Sequence, residues 1–388
     1  MRAIPGSLSI PTALKILWNA LKKYGHNMIE RIREDTLNLM TIAGLSGHED
    51  QVRNYIQEEL KKIGLKPIFD KFGNTTVTFP GTSPSVMLFT HMDQLGLIVR
   101  KIEDDGFLKF ERVGGVPEKI LPGQAVSAIS KSGKPLSGII GIKSHHATQP
   151  GEKYQVSSYR DLYIDLGMGS AAEVRNNGIE IGSPVVYKPS AEVIADDKII
   201  GTSVDDRAGC AVLLEVARQL NSRSNGPEVN IVFTVQEEFN LRGALPVAQK
   251  IKPEIAIQID LLLASDTPEM RDFGEIKLGK GPGLSMFSFH GRGTLNGVIP
   301  HPVLVDHFEQ TASNESINLQ KSAHIGALTD LSYVQLVEDG VASIDVGFPI
   351  RYSHTAQEMC DLKDLVGLAK LLISALNSLP ENINLIRD

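Results

Sequence analysis

The sequence predicts an α/β fold in which a strand-and-helix domain is interrupted by a smaller all-β module. Three observations predict it. Short apolar runs of strand length recur at 85–90, 198–201, 230–235, 254–259 and 342–347. Apolar residues at helical spacing stand between and after them. From about Gly96 to about Ala195 the texture changes to short alternating runs split by glycines and prolines, including Gly114-Gly115, Pro122-Gly123 and Gly133. Strand-plus-helix alternation lies on both sides of that stretch, so the β module reads as inserted rather than appended.

In chain order, Thr12–Arg33 carries Leu14, Ile16, Leu17, Leu21 and Met28 and reads as an amphipathic helix, a surface extension without chemistry. Ser46-Gly47-His48-Glu49 has the S-x-x-E form of a capping box. It opens a helix with Val52, Tyr55, Ile56, Leu60 and Ile63 on one face, and places His48 on the surface of its first turn. Helical texture returns after the β module at Arg207, with Ala208, Ala211, Val212, Leu214, Val216 and Ala217. Val303–Ala312 and Leu362–Leu379 are further helices, the second closing the domain. The expected division is 1–95, with 1–30 an N-terminal extension, then 96–195 for the inserted module and 196–388 for the rest.

The 388 residues give room for two domains, and 42% hydrophobic against 22% charged residues argues for a globular chain rather than a disordered one. A net charge of −7 argues against nucleic acid or an anionic membrane as the main partner. No apolar stretch reaches the length of a membrane span, and 1–11 has no secretory h-region. Cys210 and Cys360 cannot build a disulfide framework, which favours a reducing cytoplasm.

The chemistry lies where the apolar runs stop. Ser85–Thr90 leads into His91-Met92-Asp93, Asn230–Val235 into Gln236-Glu237-Glu238, and Glu254–Ile259 into Asp260, which closes its strand. Lys198–Gly201 precedes Asp205-Asp206, and Ala342–Gly347 leads through a loop to His354. In open α/β sheets ligands collect outside the carboxyl ends of the strands. A lone His-x-Asp, an aspartate pair at a helix start, or a loop histidine each has an ordinary structural explanation. Two glutamates after a buried strand have less of one, because burying them without a positive partner is costly. As a set, the donors close a count. Asp205 bridges two cations, His91 and Asp260 complete one, Glu238 and His354 complete the other, and Glu237 is left over as a general base.

Several segments match a known family. They are Gly44-Leu45-Ser46-Gly47-His48-Glu49, His91-Met92-Asp93-Gln94-Leu95-Gly96, Val204-Asp205-Asp206-Arg207-Ala208-Gly209-Cys210, Gln236-Glu237-Glu238, Leu241-Arg242-Gly243-Ala244, Asp266-Thr267-Pro268, Thr329-Asp330 and Arg351-Tyr352-Ser353-His354. With these the chain resembles the tetrahedral (TET) aminopeptidases, over about residues 35–380. The resemblance implies a three-layer zinc-peptidase-like α/β domain with a central mixed sheet, interrupted by a PDZ-like β-barrel. It implies two divalent ions, zinc or cobalt with manganese accepted, on His91, Asp205, Glu238, Asp260 and His354. Glu237 matches the catalytic base that activates a bridging water, and Asp93 the acid that orients His91. Asp206 is not implied as a ligand. Short peptides as substrates and a hollow dodecamer, a homo-oligomer, follow from the same resemblance. The chain departs from the family at Gln94, where glutamate is usual, and at Asn240, where glycine is usual. His145 and His146, in the β module, read as loop or interface residues. Rival readings are an amide hydrolase on N-acyl substrates, a glycosidase, and a non-catalytic scaffold. Glutamates adjacent in sequence do not suit the facing acids of a glycosidase.

Overall fold

The computed structural model describes residues 28–290 and 296–387. Of the helix expected over Thr12–Arg33, residues 12–27 lie outside that description. From 28 the helix (α1) runs past Arg33 to residue 40, because Ile32, Leu39 and Met40 prolong its buried face. Next, α2 (Asp50–Lys62) buries Val52, Ile56 and Leu60. It begins one residue after Glu49, so Ser46 does not cap it and the capping-box expectation fails. The side chains of Ser46 and Glu49 are taken by buried partners elsewhere, described below.

The main sheet is mixed, with strand order β1-β2-β12-β3-β13-β17-β14-β15 and β16 beside β14. Its strands are β1 (Ile68–Phe69), β2 (Thr75–Phe79), β3 (Thr82–His91), β12 (Pro227–Thr234), β13 (Ile255–Leu263), β14 (Gly283–Phe289), β15 (Gly297–Val298), β16 (Gln320–Ile325) and β17 (Ala342–Ile350). The four central strands β12, β3, β13 and β17 run parallel. Parallel strands are covered on both faces, which is why these segments read as unbroken apolar runs. Alternation along β3 sorts the layers. Val86 and Leu88 face the core shared with α1, α2, α4 (Val204–Leu220), α6 (Pro302–Asn314) and α8 (Leu362–Ser378). Met87 and Phe89 face the core shared with α5 (Ala244–Ile251) and α7 (Leu331–Val334). All four side chains are fully buried, each contributing about 1.5–3 kcal/mol of transfer free energy.

Strands β4 (Gly96–Ile102), β5 (Leu108–Val113), β6 (Ala125–Ile129), β7 (Pro135–Ile140), β8 (Ile164–Asp165) and β9 (Pro184–Tyr187) close into a barrel in the order β4-β5-β8-β7-β6-β9. The barrel has its own core, including Leu97, Val99, Leu108, Phe110, Val126, Ile140, Ile164 and Val185. A short helix, α3 (Ala171–Asn176), packs Val174 into it. The predicted fold class, a mixed-sheet α/β body with an inserted barrel, is what the structure has.

Two details differ from expectation. Lys198–Gly201 is β11, but it lies in a separate small sheet between β10 (Ala191–Ile194) and β18 (Glu358–Asp361) rather than in the main one. Asp260 does not close its strand. It sits inside β13, paired with Gly347 of β17, and the strand continues to Leu263. Among the described residues, no helix is long and apolar enough to cross a membrane.

Candidate metal centre

The parallel register brings the ends of the central strands to one edge. His91 ends β3 opposite Thr234, the last residue of β12, and the chain then turns through Gln236, which takes a left-handed backbone with φ of 56°. Asp260 comes from β13 on the other side of β3. Asp205 enters from the first turn of α4, with a non-helical ψ of 110°, and His354 from the loop between β17 and β18.

The predicted donors meet in two groups that share one residue. Ligand atoms of His91, Asp205 and Asp260 lie within 4.8 Å of one another, as do those of Asp205, Glu238 and His354. Asp205 turns one oxygen to each histidine, Oδ1 to His91 Nε2 at 3.1 Å and Oδ2 to His354 Nε2 at 3.5 Å. Glu238 Oε1 is 3.7 Å from His354 Nε2, is buried, and accepts no hydrogen bond. Both histidines point the other ring nitrogen at a backbone carbonyl. His91 Nδ1 donates to Asp93 O at 3.2 Å and His354 Nδ1 to Gly115 O at 3.1 Å. A carbonyl only accepts, so each Nδ1 carries a hydrogen and each Nε2 is the atom presented to the cluster.

The electrostatics are those of a site short of positive charge. Burial pushes Glu238 up to about 7, against the pull of His354. Burial also drives the Glu237 and Asp260 carboxyls well above the ordinary range, against His91. Burial would raise Asp205 too, but its contacts with His354 and His91 outweigh it and hold the carboxyl far below that range. Burial opposes charge on both imidazoles. Asp205 with Asp93 overrides it at His91, and Glu238 with Asp205 overrides it at His354, so both bases are raised. So many carboxyls gathered out of water cannot all ionise unless cations join them. An unpartnered buried carboxylate oxygen beside a presented imidazole is the donor chemistry that a divalent ion fits.

Several residues hold the donors in place, and sequence reasoning found only one of them. Asp93 is fully buried and accepts the Ser46 hydroxyl at 2.5 Å, the Glu237 N–H at 2.9 Å and the Glu238 N–H at 3.1 Å. It therefore fixes the glutamate turn as well as standing 3.5 Å from His91 Nδ1. Glu49 Oε1 accepts the N–H groups of Gly47 and Gln236, at 2.6 and 3.2 Å. Gln258 donates to Asp260 at 3.0 Å. Glu358 is 2% exposed and accepts from the backbone of Asp205 and of His354. For Glu358 the only sequence signal is its place four residues after His354, and for Glu49 its place in the capping-box pattern.

Other predicted residues lie off the cluster. The Asp206 carboxylate accepts from the Thr90 hydroxyl and, at 3.1 Å, from the Gly209 N–H, the ordinary work of an aspartate at a helix start. His48 is exposed just before α2, and His145 and His146 sit exposed on a barrel loop. Gln94 Oε1 accepts from Gly44 N at 3.0 Å and from the buried Arg207 at 3.3 Å.

The cluster forms one end of a cavity of about 890 Å³. Glu237, Glu238, Asp260, Asp205 and both histidines line it, and its walls include Pro117, Phe239, Leu261, Leu263, Met270 and Ile350. Gly114 and Gly115, which follow β5 of the barrel, line it as well, so the inserted module contributes to the site.

Residues 73–371 match the profile of the M42 glutamyl aminopeptidase family. The chain is 36% identical over 344 residues to the provisionally named aminopeptidase SgcX of Escherichia coli K12, covering 88% of this chain and 92% of that protein. It superposes on the TET aminopeptidase of a marine sediment Thaumarchaeota archaeon with a TM-score of 0.84, at 30% identity over 90% of this chain and 97% of the other. The TET1 peptidase of Pyrococcus horikoshii, which can assemble into a tetrahedron or a large octahedral shell, gives a TM-score of 0.79 at 28% identity, covering 90% of this chain and 99% of the other.

Proposed function

The chain belongs to the M42 glutamyl aminopeptidase family, and we propose that it releases N-terminal residues from short peptides at the two donor groups joined by Asp205. The observation that carries this reading is the division of Asp205, one oxygen at 3.1 Å from His91 and the other at 3.5 Å from His354. In this reading His91, Asp205 and Asp260 hold one divalent cation, and Asp205, Glu238 and His354 hold a second. Mixed nitrogen and oxygen donors suit zinc or cobalt and accept manganese.

Two such cations supply Lewis acidity, which polarises the scissile carbonyl and makes water a competent nucleophile near neutral pH. The protein's residues do the rest. Glu237 lines the cavity without being a member of either donor group. Its carboxylate takes the proton of the attacking water and returns it to the leaving amine nitrogen. Asp93 holds that glutamate through its backbone N–H and steadies the His91 ring, so base and ligand are fixed by one buried carboxylate. The apolar walls exclude water from the side chain being cleaved.

We further infer a cytoplasmic homo-oligomer, with the tetrahedral dodecamer as its form. Support comes from the shell-forming P. horikoshii relative and from two buried, unpaired cysteines. The division into peptidase segments 1–95 and 196–388 around an inserted 96–195 is part of the same reading.

Digestion of a peptide ladder, run beside aminoacyl-nitroanilides and N-acyl amino acids, tests the activity. The expected result is stepwise loss from the free N-terminus, stopped by blocking the α-amine and by chelator. Faster hydrolysis of N-acyl substrates would favour a deacylase. Chelator-insensitive hydrolysis of a glycoside would overturn the metal-dependent reading.

A further inference from the structure

We propose that Glu358 is a positioning residue whose single carboxylate clamps the backbone of Asp205 and His354 together and so sets the opening of the second donor group. This rests on the two-cation reading above.

The geometry is specific. Oε2 of Glu358 accepts the Asp205 N–H at 3.1 Å and Oε1 accepts the His354 N–H at 2.7 Å. One side chain thus joins two segments that are remote in the chain and that each bring a donor to the group of Asp205, Glu238 and His354. Both amides need an outside acceptor. Asp205 stands in the first turn of α4, where N–H groups have no intrahelical partner. His354 is left-handed, with φ of 64°, outside any strand or helix. Ser203, just before Asp205, is left-handed as well, with φ of 60°. Both donors therefore sit on irregular backbone that no hydrogen-bonded ladder fixes.

The clamp itself is well anchored. Glu358 begins β18, where it pairs with Gly201 of β11, four residues before Asp205. The same strand pair is fastened by Lys198 to Asp361 at 2.6 Å. Glu358 is not a ligand in waiting. Each of its oxygens is spent on an amide, whereas Glu238 keeps a buried oxygen without a partner. Glu358 therefore acts through the residues it holds, fixing the 3.5 Å approach of His354 Nε2 to Asp205 Oδ2 before any cation arrives. A site built in advance does not have to order its ligands on binding, and loss of such outer partners typically weakens metal binding about 10- to 100-fold.

The fold contains its own control. Asp364 makes the same double clamp, accepting from Gly279 and Gly281 at 2.7 Å each, on a loop that supplies no cluster donor. The test is zinc titration of the chelator-stripped full chain against a chromophoric chelator, for wild type, Glu358→Gln, Glu358→Ala and Asp364→Asn. Cobalt absorption gives the coordination signature of each equivalent. Wild type should take up two ions. In Glu358→Gln the side-chain amide turns a donor toward one of the two N–H groups. The weaker step should then fall about tenfold or more, with an altered cobalt band for that equivalent. Glu358→Ala should lose more. Asp364→Asn should melt earlier yet bind both ions as wild type does.

Should Glu358→Ala fail to fold, the near-isosteric Glu358→Gln decides. Uptake of both ions by Glu358→Gln with wild-type affinities and bands overturns the clamp while leaving the two-cation reading intact. A wild type that takes up one ion overturns both.

Discussion

Replacing Asp93 by asparagine should cost both stability and turnover, and the structure gives the size of each. The carboxylate accepts three hydrogen bonds in a fully buried position, from Ser46 Oγ, Glu237 N and Glu238 N. Asparagine keeps one accepting oxygen and puts an NH₂ group in place of the other. The Ser46 hydroxyl can rotate to accept from that group, but a backbone N–H cannot. Whichever way the amide sits, one N–H of the glutamate turn faces a donor. A buried group left unsatisfied costs about 1–3 kcal/mol, and the surviving bonds lose their charge assistance, so roughly 3–5 kcal/mol is at stake. Unfolding entropy of about 0.8 kcal/mol/K for a chain this long turns that into a Tm lowered by roughly 4–6 °C. The released turn carries Glu237, and misplacement by about 1 Å costs on the order of 10²-fold in rate. The assays are thermal unfolding of metal-loaded protein and kcat on an aminoacyl-nitroanilide. A variant with parental Tm and kcat would refute the role given to Asp93.

Glu237→Gln should leave uptake of both ions unchanged and lower kcat by about 10²- to 10⁴-fold, the range for loss of a general base; parental turnover in that variant removes Glu237 from the mechanism. Gly115→Ala should weaken metal binding without unfolding the chain, because a Cβ there would lie 2.7 Å from His354 Nδ1 and push the imidazole off its carbonyl; unchanged zinc affinity would show that the ring has room to give. The stability gained on metal loading should widen from pH 6 to pH 8. Burial holds Glu49 and Glu238 near 7 and Glu358 near 8, against about 4.3 in the unfolded chain. The metal-free fold therefore keeps protons that the unfolded chain has lost, and its stability falls as pH rises through those values. Cations take the place of those protons, so a Tm difference between loaded and stripped protein that is flat with pH would count against the assignment.

The donors were legible because their chemistry conflicts with their neighbours. His91, Glu237, Glu238 and Asp260 stand at or just beyond buried apolar runs, and a charge there needs a reason. The mixed sheet and the barrel were legible from period and punctuation alone. What escaped was everything that depends on tertiary partners. Ser46 and Glu49 have the spacing of a local cap, yet Asp93, Gly47 and Gln236 satisfy them instead. Nothing in Lys198–Gly201 distinguishes a strand of the main sheet from one in a small side sheet, since both are short and apolar. Asp260 was placed one step too early, at the end of a strand that runs on to Leu263. Glu358 left the faintest trace, because it acts on backbone amides, and amides carry no sequence pattern.

The two departures from the family pattern have physical explanations that keep them out of the chemistry. Asn240 has φ of 71°, the left-handed region that glycine enters freely and asparagine tolerates better than most residues. The position therefore selects for backbone conformation rather than for a side-chain group, although Asn240 does line the cavity. Asn240→Gly should change stability by less than about 1 kcal/mol and leave kcat on a small nitroanilide unaltered; a large loss of kcat would mean that the amide touches substrate. Gln94 hydrogen-bonds Gly44 N and the fully buried Arg207, which also donates to the carbonyls of Leu39 and Ile42. A neutral amide there leaves the guanidinium without a carboxylate in hydrogen-bond contact, and burial lowers Arg207 to about 10, with Asp93 and Glu49 pulling the other way. Those two carboxylates hold the glutamate turn. The charge that Gln94 lacks is therefore balanced from within the site's own scaffold, and the anchor of the Gly44–Ser46 loop persists without a buried ion pair at residue 94.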